Sequence, residues 1–191
     1  MKQERNIDNL QDEQALLLYV LLDAITEEQT PSLLMVERIL YFLRKFSNNQ
    51  YFSAEVEKYA CFYTGKAKEV LDPLEGKYIH YSASFDPTDV LAPIGVDLSY
   101  QPLIQKHIEQ NAALKEIAQA TISLLSGFYS EYLLEVLMAV EIAAKEMPLD
   151  KLDAEKIIQL WNSKKGFFIY NTEHIYKTIK HYRKHGKNTS V

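Results

Sequence analysis

The run at residues 15–25 is apolar at every position except Asp23, and it restricts the fold more than any other feature. An amphipathic surface helix carries one apolar stripe, whereas a helix that is apolar all round must be covered on most sides. The run is well short of the roughly 20 apolar residues that span a bilayer. Asp8, Asp12 and Glu13 precede it, where a secretory signal would begin with positive charge. The expectation is a buried helix in a soluble, cytoplasmic, multi-helix domain with no membrane partner.

Enough material exists to cover that helix. Of 191 residues, 47% are apolar, and only six are Gly and six Pro, so one packed domain over 1–191 is expected rather than linkers or disorder. Cys61 is the single cysteine and cannot form an internal disulfide. It suits a reducing compartment. Without a positive flank to lower its thiol pKa it reads as a small core residue and not a nucleophile.

Periodicity extends the helical reading along the chain. Residues 1–11 are polar and expected to fray as a disordered tail. A first helix is predicted over 12–27. Thr30-Pro31-Ser32 breaks the chain, and Ser32 is placed to cap a second helix in which Val36, Ile39, Leu40, Leu43 and Phe46 recur at helical spacing. In residues 50–98 the pattern weakens. Tyr51-Phe52 and residues 77–82 have strand-like composition, residues 65–71 suit a short helix closed by Asp72-Pro73, and Asp86-Pro87 and residues 93–95 mark loops.

From Ser99 the chain is helix-compatible up to Ser126, with Pro102 in a first turn. Tyr129, Tyr132, Leu133, Val136, Leu137, Val140 and Ala144 then line one face of a helix over about 129–146, which Pro148 stops. Asp150 and Asp153 are candidate caps for a helix over 153–163, and Gly186 closes a last helix over 172–185. The predicted fold class is all-α, with a minor β element around 50–98. Its last three helices are spaced as in a helix-turn-helix.

Charge divides the chain. Residues 1–110 hold 10 Lys/Arg against 17 Asp/Glu, whereas residues 164–191 hold seven basic residues and one acid, Glu173. The acidic half thus ends near residue 98 and the helical second half, 99–191, carries the basic tail. In the last helix Ile175, Ile179 and Tyr182 face inward, and Lys177, Lys180, Lys184 and the following Lys187 face outward. With Arg183, these fit a helix read against DNA phosphates. They fit equally a terminal helix whose late cations complement its own dipole.

No chemistry-bearing motif stands out. His181 and His185 lie four apart, as two metal ligands would, but no third ligand is in register and Lys180, Arg183 and Lys184 surround them. Glu131 and Glu135 are one helical turn apart, which a solvated face explains. Neither a Gly-rich phosphate loop, a nucleophile elbow nor an HExxH motif occurs. The expectation is a non-enzyme with no metal and no cofactor.

Four stretches, in order, resemble one family. Val36-Glu37-Arg38-Ile39-Leu40-Tyr41-Phe42-Leu43 is similar to the "KIQKLVYFLQ" helix of the C-terminal domain of the DarG antitoxins. Val70-Leu71-Asp72-Pro73-Leu74-Glu75-Gly76-Lys77-Tyr78-Ile79 resembles its "VLxxLEGHYI" segment. Gly127-Phe128, Tyr132, Glu135, Leu137 and Val140 match its G-F-x3-Y-x2-E-x-L-x2-V pattern, and Trp161, Lys165, Phe168 and His174-Ile175 its ending. Where the family has Tyr-Gly-Pro-Tyr, this chain has Ala60-Cys61-Phe62-Tyr63 and keeps the last tyrosine alone. The wider SocA-like (Panacea) antitoxins share related patterns.

The resemblance implies a bacterial toxin–antitoxin component that neutralises a DarT-like DNA ADP-ribosyltransferase by protein–protein contact, with acids imitating a nucleic-acid backbone. Glu69, Asp72, Glu75, Tyr63 and Lys77 are the expected contact residues. The family's macrodomain has no place in this chain, so reversal of ADP-ribosylation is not expected. The alternative is a helix-turn-helix regulator that uses Lys177, Lys180, Arg183 and Lys184.

Overall fold

A computed structural model describes residues 10–48, 50–51, 64–82, 85–86, 88–163 (backbone alone at 161–163) and 171–186. Among them are eight α-helices: α1 (Asp12–Thr26), α2 (Leu33–Phe46), α3 (Lys66–Leu71), α4 (Gln101–Gln110), α5 (Ala112–Leu125), α6 (Glu131–Glu146), α7 (Ala154–Ser163) and α8 (Thr172–His185). Strands β1 (Ile79–Tyr81) and β2 (Ile94–Val96) pair antiparallel, with His80 opposite Gly95. The all-α expectation with a minor β element is borne out.

Caps decide where the helices begin. Ser32 Oγ accepts from Met35 N at 3.1 Å, Ser130 Oγ from Leu133 N at 3.2 Å, and Asn171 Oδ1 from Glu173 N at 2.8 Å. Each satisfies an N–H that has no partner within its own helix. The helix-compatible run from Ser99 to Ser126 divides at Asn111, a correction to the unbroken reading. Asn111 leaves helical geometry, and its Oδ1 takes the amides of Ala113 and Leu114 at 3.1 and 3.3 Å. A side chain that competes for backbone donors has begun a new helix there.

Residues 93–95 also differ from the predicted loop, because Ile94–Val96 is strand β2. Pro93 sits just before it, where its missing N–H costs no ladder bond. Ile94 N donates instead to Pro31 O at 2.8 Å, and Leu34 N to Val90 O at 2.9 Å, which docks this edge on the start of α2. Tyr51 lies in a bend and not in a strand; Phe52 is outside the described residues.

The centre of the fold is α2. It packs against α1, α3, α5 and α6, and every residue from Leu33 to Arg44 is buried. The apolar run of α1 is covered by α2, α4 and α5, so Leu16, Leu17, Leu18 and Leu21 are wholly buried. Helices α6, α7 and α8 pack pairwise, the mutual contact expected of a C-terminal three-helix unit. No helix among the described residues is long and apolar enough to cross a membrane.

Gly186 does end α8, but not by the left-handed conformation a terminal glycine usually supplies. Its φ is -83°. Glycine is needed because a Cβ would come within 2.4–2.7 Å of the Tyr182 ring.

Candidate partner-binding surface

The expected contact residues lie on the short α3 and the turn that follows it. Gly65, with φ +84°, introduces α3 without a capping side chain. The cap comes from α2: Glu37 accepts from Thr64 N at 3.1 Å, from the Thr64 hydroxyl, and from Ala67 N at 2.8 Å. A buried carboxylate at the positive end of a helix is satisfied by the donors the helix leaves open. Helix α3 is thereby tied to the core, and its outer side is available.

On that outer side Asp72 and Glu75 come together at Tyr81, and Glu69 lies one turn of α3 before Asp72. Asp72 accepts from the Tyr81 hydroxyl at 3.1 Å, Glu75 accepts from Tyr81 N at 3.2 Å, and the Tyr81 ring stacks on Phe85 at 4.1 Å and 21°. Lysines share the surface. Lys66 Nζ is 2.7 Å from Glu69, Lys68 Nζ donates to both Asp72 oxygens at 2.7 and 2.5 Å, and Lys77 Nζ lies 4.7 Å from the Tyr78 ring centre. Tyr63 lies outside the described residues.

The edge is therefore a mixed-charge rim around an aromatic centre, and not a purely acidic face. Lys66, Lys68, Tyr81 and Phe85 were not singled out from sequence. The signal was present for the lysines, because Lys66/Glu69 and Lys68/Asp72 are spaced three and four apart. Exposed pairs of this kind contribute only about 0.2–1 kcal/mol, so they exchange readily for charges on a partner. Further along, Asp86 accepts from the amide and hydroxyl of Thr88, which hold its carboxyl below the ordinary range, and Asp89 accepts from Leu91 N at 3.0 Å. Neither has a lysine partner among the described residues.

Glu131 and Glu135 do not occupy a solvated face, which corrects the sequence reading. Glu135 and Arg38 form an ion pair whose side chains are 1% and 3% exposed. Arg38 also donates to the Glu131 carbonyl, and the Ser32 hydroxyl donates to the Glu131 carboxylate at 2.5 Å. Lower down, buried Glu141 accepts from Lys45 Nζ at 2.7 Å and from the Tyr182 hydroxyl. Burial and the adjacent Glu141 charge push the Tyr182 phenol above its ordinary range. These carboxylates hold α2, α6 and α8 together.

The cations of α8 are unequally employed. Arg183 Nε and Nη2 donate to Leu149 O at 3.0 and 2.7 Å, and Lys177 pairs with Glu173 at 2.7 Å. Lys180 and Lys184 are exposed, and Lys187 lies outside the described residues. His181 Nε2 donates to Leu124 O at 2.8 Å, and the ring is 4.7 Å from that of His185. Burial lowers the His181 pKa despite that carbonyl. That hydrogen bond leaves Nε2 of His181 occupied.

One cleft, of about 120 Å³, opens between α1, α4 and α5, lined by Tyr19, Asp23, Thr26, Gln101 and Gln105 among others. It is small beside the roughly 300–1,000 Å³ of ordinary ligand sites. Burial raises the Asp23 carboxyl pKa, partly offset by a 2.9 Å bond from the Tyr129 hydroxyl.

Neither the family models nor the curated proteins contain a match to this chain.

Among the described residues no group of three or more His, Cys, Asp or Glu side chains is arranged to hold a metal ion. The geometry thus offers one exposed edge built from the core outward, on which charges of both signs surround stacked rings. In protein–protein interfaces generally, aromatic side chains supply contact area and a charged rim sets orientation.

Proposed function

We propose that this chain is a non-catalytic interaction domain that binds and neutralises a toxin enzyme, a DarT-like DNA ADP-ribosyltransferase, by protein–protein contact. The observation that carries the reading is the edge at α3 and β1. There Asp72 and Glu75 hold Tyr81 of the Tyr81–Phe85 stack, Glu69 is exposed on the same short helix, and residues 70–79 are the stretch similar to the DarG "VLxxLEGHYI" segment. The framework lends support as well. Two other stretches that carry the resemblance, at residues 36–43 and 127–140, meet through the buried Arg38–Glu135 pair.

In this reading Tyr81 and Phe85 are the anchors, and the acids select a basic groove of the toxin. Lys66 and Lys68 release Glu69 and Asp72 as the partner's cations replace them. Asp86 and Asp89 extend the negative rim. Acids that stand where DNA phosphates would lie keep substrate from the enzyme. Charge complementarity of this kind speeds encounter and excludes other partners.

Charge reversal tests it. Glu69→Lys with Glu75→Lys is expected to slow association with the purified toxin at least ten-fold at 50 mM salt and to abolish protection of cells expressing it. Unchanged association by this double variant and by Tyr81→Ala would remove the edge from the interface and the reading with it.

A further inference from the structure

A second surface lies on α8, an element other than those of the edge just described, and its cations differ in what they pair with. Arg183 is engaged with Leu149 O and Lys177 with Glu173. Tyr176, 55% exposed, and the exposed Lys180 and Lys184 remain. These three are four residues apart, so they form one line along the helix, each step rising about 6 Å. No acid pairs with Lys180 or Lys184 among the described residues.

Lys184, in the last turn, also complements the helix dipole, whereas the exposed Tyr176 ring and Lys180 have no such role. Tyr176 is one of three large apolar side chains left exposed among the described residues, while Ile175, Ile179 and Tyr182 bury the opposite face. The helix is anchored to its neighbours at both ends. Asn171 N donates to the Tyr132 hydroxyl at 3.1 Å, His174 Nδ1 is 3.0 Å from the same oxygen, and Lys45 and Glu141 grip Tyr182.

From this geometry we infer that α8 binds single-stranded nucleic acid, with a base stacked on Tyr176 and successive phosphates on Lys180 and Lys184. An exposed ring in line with unpaired ammonium groups is the arrangement that tracks a single strand, because every base offers a π-face. A duplex reader would need three or four side chains placed against base edges in a groove. With Arg183 held by Leu149 O, the line offers one ring and flexible lysines, which suit a backbone better than base edges. The acid-rich edge stands on other elements, so the overall charge of -5 does not fall on this line.

The test is fluorescence anisotropy of the whole chain with a labelled 12-nucleotide oligo-dT and with a duplex of equal length, from 25 to 200 mM salt. The single strand should bind more tightly than the duplex, with a slope of log K against log salt near -1.4, the value for two phosphates at about 0.7 each. Tyr176→Ala should weaken binding at least five-fold and leave that slope unchanged. Lys180→Gln with Lys184→Gln should flatten the slope toward zero. All three positions are exposed, and matching circular dichroism melts would establish that the variants fold. Equal binding by parent and variants, preference for the duplex, or no binding at 25 mM salt would each overturn the inference.

Discussion

Removing Glu135 is the sharpest perturbation of the framework, because Arg38 would remain in the core without its carboxylate. The two side chains are 3% and 1% exposed and come from positions 97 apart in sequence. Deleting one member of such a pair costs about 3–5 kcal/mol, chiefly because the other charge stays buried. For a domain of 150–250 residues each kcal/mol moves the melting temperature by about 2–4 °C. Glu135→Leu should therefore melt about 6–20 °C below the parent. Arg38→Met with Glu135→Leu removes both charges and keeps the volume, so it should recover most of the loss. The Glu131 carbonyl loses its guanidinium donor in that variant, a cost of about 1 kcal/mol. Urea titration of the four proteins forms the double-mutant cycle, with an expected coupling of at least about 2 kcal/mol. Additivity within about 0.5 kcal/mol would refute the pairing as the link between α2 and α6.

Three further outcomes are expected. Glu37→Ala should cost on the order of 2–3 kcal/mol in urea unfolding by stranding the Thr64 and Ala67 amides, and should speed amide exchange across α3 before the rest of the chain; an unchanged exchange rate there would contradict it. Gly186→Ala should cost about 1–3 kcal/mol of overpacking, since its Cβ meets the Tyr182 ring, with a Tyr182→Leu background relieving the effect. The His181 pKa is lowered chiefly by burial, so above the unfolded value near 6.5 both states are neutral and stability is complete. On acidification the unfolded chain takes up the proton first, so stability is lost from about pH 6.5 down to the folded pKa. His181→Gln should show a shallower fall in melting temperature between pH 7 and 5, and an identical slope would count against the assignment.

The helices were legible because period and cap agree. Ser32 precedes the apolar spacing of α2, and Asn171 stands before Ile175, Ile179 and Tyr182 at the start of α8. What stayed hidden was non-local. Nothing near Glu135 announces Arg38, and a pair of glutamates one turn apart reads the same on a wet face as in a core. Glu37 caps a helix 30 residues away, a role that no local pattern encodes. Asn111 was readable in principle, being a good cap in the middle of a helical run. Gly186 ended its helix as expected, but for a reason that depends on the Tyr182 ring. At the candidate surface, the acids of residues 69–75 were visible. The strand-like composition of residues 77–82 was visible too, but its partner Ile94–Val96 and the Tyr81–Phe85 stack beside Asp72 and Glu75 were not.

The most direct measurement of the central proposal is co-expression of this chain with a DarT-like DNA ADP-ribosyltransferase encoded beside it, followed by gel filtration with nuclease present. The account predicts restored growth, a stoichiometric protein complex, and no removal of ADP-ribose from DNA already modified. Continued toxicity with the two proteins eluting apart would contradict it.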